Sequence, residues 1–116
     1  MKVMIVDDHD GVRQMIKSYL SDLVDEFFEC ANGEGAVDMF RANRPDLVLM
    51  DIRMKDVDGI AATKLIRDDF PDANVVIVSH WETRRLRDLA AVAGASGYVN
   101  KGDLFPLRMI VRAAGA

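Results

Sequence analysis

Short apolar runs alternate with amphipathic helical patterns along this chain, and this alternation restricts the fold more than any other feature. The runs at 3–6, 47–50 and 75–78 are typical of strands that are buried on both faces. A weaker strand is predicted at 27–31 and a short fifth strand at 96–100. Because strands alternate with helices, we expect a parallel sheet covered on both sides, in the flavodoxin-like order 2-1-3-4-5.

Five helices are predicted between and after these strands. Apolar residues recur at helical spacing over 12–20, 33–43, 59–69, 86–93 and 107–114. Pro45 and Pro71 end the second and third helices, since the residue before a proline avoids helical backbone. Asp103 can cap the last helix, with Pro106 tolerated in its first turn. The chain has no repeat and no linker, so a single α/β domain is expected over residues 1–116.

Composition excludes several classes of protein. The 15 basic and 19 acidic residues give a net charge of −4, which argues against bulk nucleic-acid binding. Every apolar run falls short of the roughly 20 residues that span a bilayer, so no membrane association is expected. The single cysteine, Cys30, excludes an intrachain disulfide and fits a reducing cytosol. The sequence therefore predicts a soluble cytoplasmic domain.

Polar side chains follow four of the five predicted strands. Asp7 and Asp8 come after the first strand, Asp51 after the third, Ser79 after the fourth and Lys101 after the fifth. In a doubly wound sheet the functional crevice lies beyond the carboxyl ends of the strands, at the point where the strand order reverses. These side chains are therefore expected to converge on one rim.

The chemistry of such a cluster points to phosphoryl transfer. Three close carboxylates need a counter-charge, and hard oxygen ligands favour Mg²⁺. Zinc is disfavoured, because His9, His80 and Cys30 lack the spacing of a zinc site. A lysine and a metal ion neutralise a phosphoryl group and a hydroxyl donates to it, so an aspartate acting as nucleophile would yield an aspartyl phosphate.

Five segments, in this order and spacing, resemble the receiver domain of two-component response regulators. They are "VDDHDGVR", "PDLVLMDIRM", the pair Asp58-Gly59, "VIVS" and "GYVNKG". The chain is most similar to the branch that is usually linked to a helix-turn-helix output domain. The resemblance implies that a histidine kinase or a phosphotransfer protein phosphorylates Asp51, with no turnover of an outside substrate.

The resemblance also implies roles for the other residues of the rim. Mg²⁺ would be bound directly by Asp8 and Asp51, through water by Asp7, and by the backbone carbonyl of Arg53. Lys101 would pair with the phosphoryl group. Ser79 would sense the phosphate, and Tyr98 would act as the switch residue.

The output surface is expected on the fourth helix, fifth strand and fifth helix. It would carry Arg84, Arg85, Arg87, Tyr98, Arg108 and Arg112. A second copy of the chain, a kinase or an output protein would bind there, and no direct contact with nucleic acid is expected. A single-domain regulator and an excised receiver both fit the sequence.

Two positions depart from the family pattern. Met54-Lys55 stands where the family usually has Met-Pro, and His80 stands where a small residue follows the switch hydroxyl. We expect His80 and Trp81 to form a gate that narrows access to the phosphorylation site. The alternative is that His80 acts as a general base on the attacking water.

Three other functions share parts of this residue pattern. A serine hydrolase is rejected, because Ser79 lacks the G-x-S-x-G elbow and His80 points to the opposite face of an extended strand. An aspartyl-phosphate phosphatase would need an acid where Arg53 stands. A degenerate receiver, acting as an unphosphorylated binding module, stays open as an alternative.

Overall fold

The computed structural model describes residues 1–54 and 57–115, over which five strands alternate with five helices. The strands are β1 (Lys2–Val6), β2 (Glu26–Cys30), β3 (Leu47–Met50), β4 (Val75–Ser79) and β5 (Gly97–Asn100). The helices are α1 (Asp10–Leu20), α2 (Ala36–Asn43), α3 (Gly59–Asp69), α4 (Arg84–Ala93) and α5 (Phe105–Gly115). The sheet is parallel throughout, with the order β2-β1-β3-β4-β5. The predicted fold class and strand order are confirmed.

Side chains from the two faces of the sheet form two separate hydrophobic cores. Met4 and Val6 of β1 pack on one face with residues of α2, α3 and α4, while Val3 and Ile5 pack on the other with α1 and α5. Successive side chains of a strand point to opposite faces, so an uninterrupted apolar run supplies both cores at once.

The second helix begins later than the predicted range of 33–43. It starts at Ala36, because the side-chain oxygen of Asn32 accepts a hydrogen bond from the backbone N–H of Gly35 at 2.9 Å. This local bond offers the backbone a turn in place of the first helical turn. The third helix matches its predicted range of 59–69, and Asp58 caps it by accepting a hydrogen bond from the N–H of Ala61.

The last helix begins at Phe105, with Pro106 as its second residue, as expected for a proline in the first turn. The carboxylate of Asp103 accepts a hydrogen bond from the N–H of Phe105 at 3.2 Å, so it satisfies an N–H at the start of this helix. Ala116, the end of the predicted domain, and Lys55, one of the two departures from the family pattern, lie outside the described residues. Each helix in the described part of the chain falls short of what a membrane span requires.

Candidate functional site

Three of the predicted site residues are placed by hydrogen bonds that continue the sheet one residue past its strands. The backbone N–H groups of Asp7, Asp51 and Lys101 donate to carbonyl groups of neighbouring strands at 3.0, 2.9 and 2.9 Å. The acceptors are the carbonyls of Cys30, Val6 and Ser79. The hydrogen bonding of the sheet therefore continues to these three residues and brings their side chains to one rim.

Lys101 joins two of the three carboxylates. Its Nζ lies 2.7 Å from Oδ2 of Asp7 and 3.2 Å from Oδ1 of Asp51, and all three side chains are almost fully buried. The same Oδ1 of Asp51 accepts the backbone N–H of Ile52 at 2.9 Å. Removal of Lys101 would be destabilising, since it would leave two buried carboxylates without their cation, whereas Lys101 still has Asp7 as a partner if Asp51 loses its charge.

Burial and, second, the charge of Asp7 raise the pKa of Asp51 above its ordinary value of 3.8. The ammonium group of Lys101 and the N–H of Ile52 act in the opposite direction. The ionised form of Asp51 is therefore unfavourable in free energy in this site, and a cation beside it makes that form less unfavourable.

Asp8 and His9 complete an acidic cluster at the end of β1. One ligand atom from each of Asp7, Asp8, His9 and Asp51 can be chosen so that all four lie within 4.8 Å of one another. Oδ1 of Asp8 is buried and accepts no hydrogen bond from the described residues. Buried polar atoms are rarely left unsatisfied, and a divalent cation with oxygen ligands would satisfy this one. The residues present therefore fit Mg²⁺.

A chain of hydrogen bonds connects Ser79 with Tyr98. The fully buried hydroxyl of Ser79 accepts the backbone N–H of Trp81 at 3.1 Å, and the hydroxyl of Tyr98 donates to the carbonyl of Trp81. Partial burial of the ring raises the pKa of Tyr98. The two residues predicted as sensor and switch are in this way tied to the same backbone segment.

The side chain of Trp81 makes a contact that was not predicted from the sequence. The guanidinium group of Arg53 lies over its indole ring, 4.3 Å from the ring centroid. His80, between Ser79 and Trp81, is exposed. The described residues show no hydrogen bond between Ser79 and His80, in agreement with the rejection of a serine hydrolase.

On the predicted output face, Arg108 of α5 is bound to α1. Its two guanidinium nitrogens form a fork with the carboxylate of Asp22 at 2.9 and 2.7 Å, and one of them also donates to the carbonyl of Tyr19. The hydrogen bond from Arg108 lowers the pKa of Asp22 to about 2. Arg108 was predicted to lie on the output surface. In the structure it links α5 to α1 and to the turn that follows α1.

Gly59 sets the distance between the Asp51 strand end and α3. Its N–H donates to the carbonyl of Ile52 at 2.8 Å, and a Cβ atom at position 59 would lie 1.7 Å from the carbonyl oxygen of Asp51. A residue with a side chain cannot occupy this position without moving the backbone that carries Asp51.

Comparison with known proteins agrees with this geometry. The family model for the response regulator receiver domain matches residues 3–110. The response regulator GacA of Pseudomonas aeruginosa is 36% identical over 104 residues, which cover 88% of this chain and 49% of that protein. The response regulator protein VraR of Staphylococcus aureus is 37% identical over 103 residues, which cover 87% and 49%. The chain therefore spans about half the length of the curated relatives it matches.

Solved structures give the same result. A LuxR-family two-component response regulator from Aurantimonas is 29% identical, with a TM-score of 0.89 over 98% of this chain and 84% of that one. The response regulator domain of Thermotoga maritima CheB is 26% identical, with a TM-score of 0.87 over 98% and 95%. The family model covers most of the chain, and both relatives exceed 30% identity. This chain belongs to the response regulator receiver domain family, and it is most similar to the LuxR-type branch.

Proposed function

We propose that this chain is a signalling switch that accepts a phosphoryl group on Asp51 from a histidine kinase or a phosphotransfer protein. The observation that carries the proposal is the contact of Lys101 with both Asp7 and Asp51, at the rim where three carboxylates meet. A lysine in this position can transfer its contact from a carboxylate to the phosphoryl oxygens of the modified aspartate.

The hydrogen bonds of Asp51 support a specific oxygen as the nucleophile. Oδ1 accepts from both Ile52 and Lys101, whereas Oδ2 accepts no hydrogen bond from the described residues. Attack by Oδ2 on the phosphorus of a phosphohistidine forms the O–P bond as the P–N bond breaks, and the imidazole leaves with the electron pair and takes up a proton. Asp51 attacks in its ionised form, and burial makes that form costly in free energy in this site.

We propose that the metal is Mg²⁺, bound by Asp8 and Asp51 directly, by Asp7 through water and by the backbone carbonyl of Arg53. When bound, the ion neutralises charge on the transferred phosphoryl group and orients its oxygens. Lys101 balances the remaining negative charge, and the hydroxyl of Ser79 exchanges its bond with the N–H of Trp81 for one to a phosphoryl oxygen. The chain then catalyses only its own phosphorylation and dephosphorylation.

The same exchange would pass the signal to the surface. If Ser79 turns toward the phosphoryl group, the segment that carries Trp81 loses one bond and Tyr98 loses the fixed position of its acceptor. The output surface would then shift at α4 and β5, where Arg87 pairs with Glu82 and lies 5.6 Å from the ring of Tyr98. Such an element with two alternative packings is what a switch requires.

We further propose that the receiver domain extends over residues 1–116 and works in the cytoplasm. Its partners at the surface of α4, β5 and α5 would be a second copy of the chain or an output protein. One of the structural neighbours is described as a DNA-binding response regulator from Staphylococcus aureus, of the LuxR family. We do not expect the receiver itself to contact nucleic acid, since its net charge is −4.

Intact-mass spectrometry tests the proposal. Acetyl phosphate with Mg²⁺ should add one phosphoryl group to the parent protein and none to Asp51→Asn. Asp58→Asn is a matched control, because Asp58 caps α3 with its carboxylate and should leave the modification unchanged. Modification that persists in Asp51→Asn, or that proceeds equally well with a chelator, would refute the assignment.

A further inference from the structure

The imidazole of His9 points into the acidic cluster although most of the side chain is exposed. Its Nδ1 lies 2.9 Å from Oδ1 of Asp8 and 3.3 Å from Oδ1 of Asp7, with 69% of the side chain open to solvent. The backbone N–H of His9 also donates to Oδ1 of Asp7 at 2.8 Å, which fixes the base of the ring against the site.

Nδ1 of His9 and the carboxylate oxygens of Asp7 and Asp8 therefore meet at this point. Oδ1 of Asp8 has no hydrogen-bond partner among the described residues, although Nδ1 of His9 lies 2.9 Å from it. A divalent cation held between these atoms could be bound by the carboxylates and the ring nitrogen together. The neutral imidazole is a common metal ligand, and its Nδ1 is the atom that faces the carboxylates.

We propose that His9 is an additional ligand of the metal site through Nδ1, and that it gives the site a preference for first-row transition-metal ions such as Ni²⁺ over Mg²⁺. This inference depends on the proposed function in one respect, namely that Asp8 and Asp51 bind a divalent ion. Imidazole suits Ni²⁺, Zn²⁺ and Fe²⁺, whereas carboxylate and water suit Mg²⁺.

The spacing of the donor atoms supports this ligand set. Opposite ligands of an octahedral ion with bonds of about 2.1 Å are roughly 4.2 Å apart. The donor atoms of Asp7, Asp8, His9 and Asp51 all lie within 4.8 Å of one another, so small side-chain adjustments suffice. The exposed ring can make such an adjustment without disturbing the core.

Ni²⁺ would then occupy the site in which the phosphorylation reaction needs Mg²⁺. Such an ion would compete with Mg²⁺, and the degree of competition would depend on His9. The preference is therefore a property that can be measured by binding alone, without any phosphodonor.

Isothermal titration calorimetry of Ni²⁺ and of Mg²⁺ binding to the whole chain tests the proposal. His9→Ala should lower the Ni²⁺ affinity by about 10- to 100-fold, the range found when groups that support a metal site are removed, with far less effect on Mg²⁺. Gln14→Ala is the control, because Gln14 is an exposed polar residue of α1 outside the acidic cluster. An unchanged ratio of the two affinities in His9→Ala would overturn the proposal, as would an equal loss in Gln14→Ala.

A second variant separates this inference from the proposed function. Asp8→Ala should weaken both ions, since Asp8 belongs to the shared carboxylate set. If neither ion binds the parent, or if both bind Asp8→Ala as tightly as the parent, the metal site itself is refuted. If Asp8→Ala weakens both ions and His9→Ala leaves their ratio unchanged, only the role of His9 is refuted.

Discussion

Arg53 stacks on Trp81, with its guanidinium carbon 4.3 Å from the centroid of the indole ring. The two residues belong to the segments that follow β3 and β4, so the contact bridges the Asp51 strand end and the Ser79 strand end. The backbone of the same tryptophan donates to Ser79 and accepts from Tyr98. Trp81 is therefore in contact with each predicted part of the switch.

Arg53→Ala should uncover the indole face of the only tryptophan in the chain and shift its fluorescence emission to longer wavelength. We expect a loss of about 0.5–1 kcal/mol in the free energy of unfolding, the usual worth of an exposed cation–π contact. Arg87→Ala is the control, because Arg87 lies near the ring of Tyr98 instead. Identical emission spectra of Arg53→Ala and the parent would show that the stack does not form in solution.

His80→Ala should speed phosphorylation by acetyl phosphate and shorten the lifetime of the phosphorylated form. The physical reason is that a bulky ring beside the site narrows the approach of both the donor and the attacking water. Rates of phosphate release measured across the pH range test this expectation. Slower decay in His80→Ala, together with a parent rate that follows imidazole titration, would establish His80 as a general base and exclude a gate.

Asp8→Ala should raise the free energy of unfolding in metal-free buffer by about 0.5–2 kcal/mol. Lys101 contacts Asp7 and Asp51, so its charge serves these two carboxylates, while Oδ1 of Asp8 is buried without a hydrogen-bond partner among the described residues. Mg²⁺ should stabilise the parent more than the variant, since a ligand of the folded state adds stability by mass action. Thermal melts with and without chelator test both effects. Asp72→Ala controls for the change in net charge, because Asp72 is exposed at the opposite end of the strands. A melting temperature of Asp8→Ala in chelator that is lower than that of the parent would contradict the prediction.

Asp51→Asn should stabilise the protein at neutral pH, and the gain should shrink in acid. The pKa of Asp51 is raised on folding, so the folded state binds this proton more tightly than the unfolded state. The stability that Asp51 contributes to the folded state is therefore fully present below its ordinary pKa of 3.8. It is lost as the pH rises through the raised pKa that Asp51 has in the folded protein. Asparagine does not ionise and avoids that loss.

Urea unfolding of Asp51→Asn and the parent from pH 3.5 to pH 7 tests this dependence. Lys101→Ala serves as a contrast of opposite sign, because it leaves two buried carboxylates without their cation and should cost about 3–5 kcal/mol at neutral pH. A stability difference between Asp51→Asn and the parent that does not change with pH would contradict the raised pKa.

Hydrogen exchange should show that a phosphate mimic such as beryllofluoride alters α4 more than α1. The hydrogen bonds of Ser79 and Tyr98 both end on the segment just before α4, whereas the Arg108–Asp22 pair holds α5 against α1. Tyr98→Phe, which lacks the hydroxyl that binds the Trp81 carbonyl, should weaken the change in α4. Exchange that changes only in the loops around Asp51, with α4 unaffected, would count against a switch on this face.

The carboxyl-end rule for parallel sheets explains how much of the site could be predicted from sequence. Asp7, Asp51 and Lys101 directly follow strands whose apolar runs are easy to recognise, and the sheet hydrogen bonds extend to them. Side-chain contacts between distant segments were missed for the opposite reason. The Arg53–Trp81 stack and the Arg108–Asp22 pair depend on rotamers and on packing between elements, which no local pattern encodes.

The inward position of Nδ1 of His9 is an intermediate case. The histidine directly follows Asp7-Asp8, which is a signal in the sequence. The direction of its ring depends on the turn after β1, in which its own N–H binds Asp7. A strand pattern can locate such a residue at the rim, and only the backbone conformation beyond the strand decides where its ring nitrogen points.

The close fit of Gly59 against the Asp51 carbonyl joins the start of α3 to the end of the strand that carries the proposed phosphoacceptor. The N–H of Gly59 donates to the carbonyl of Ile52, and a Cβ atom at position 59 would collide with the carbonyl oxygen of Asp51. The first turn of α3 and the Asp51 strand end therefore cannot move independently of each other. A movement at one of them is passed to the other through backbone atoms alone, whatever side chains surround the site.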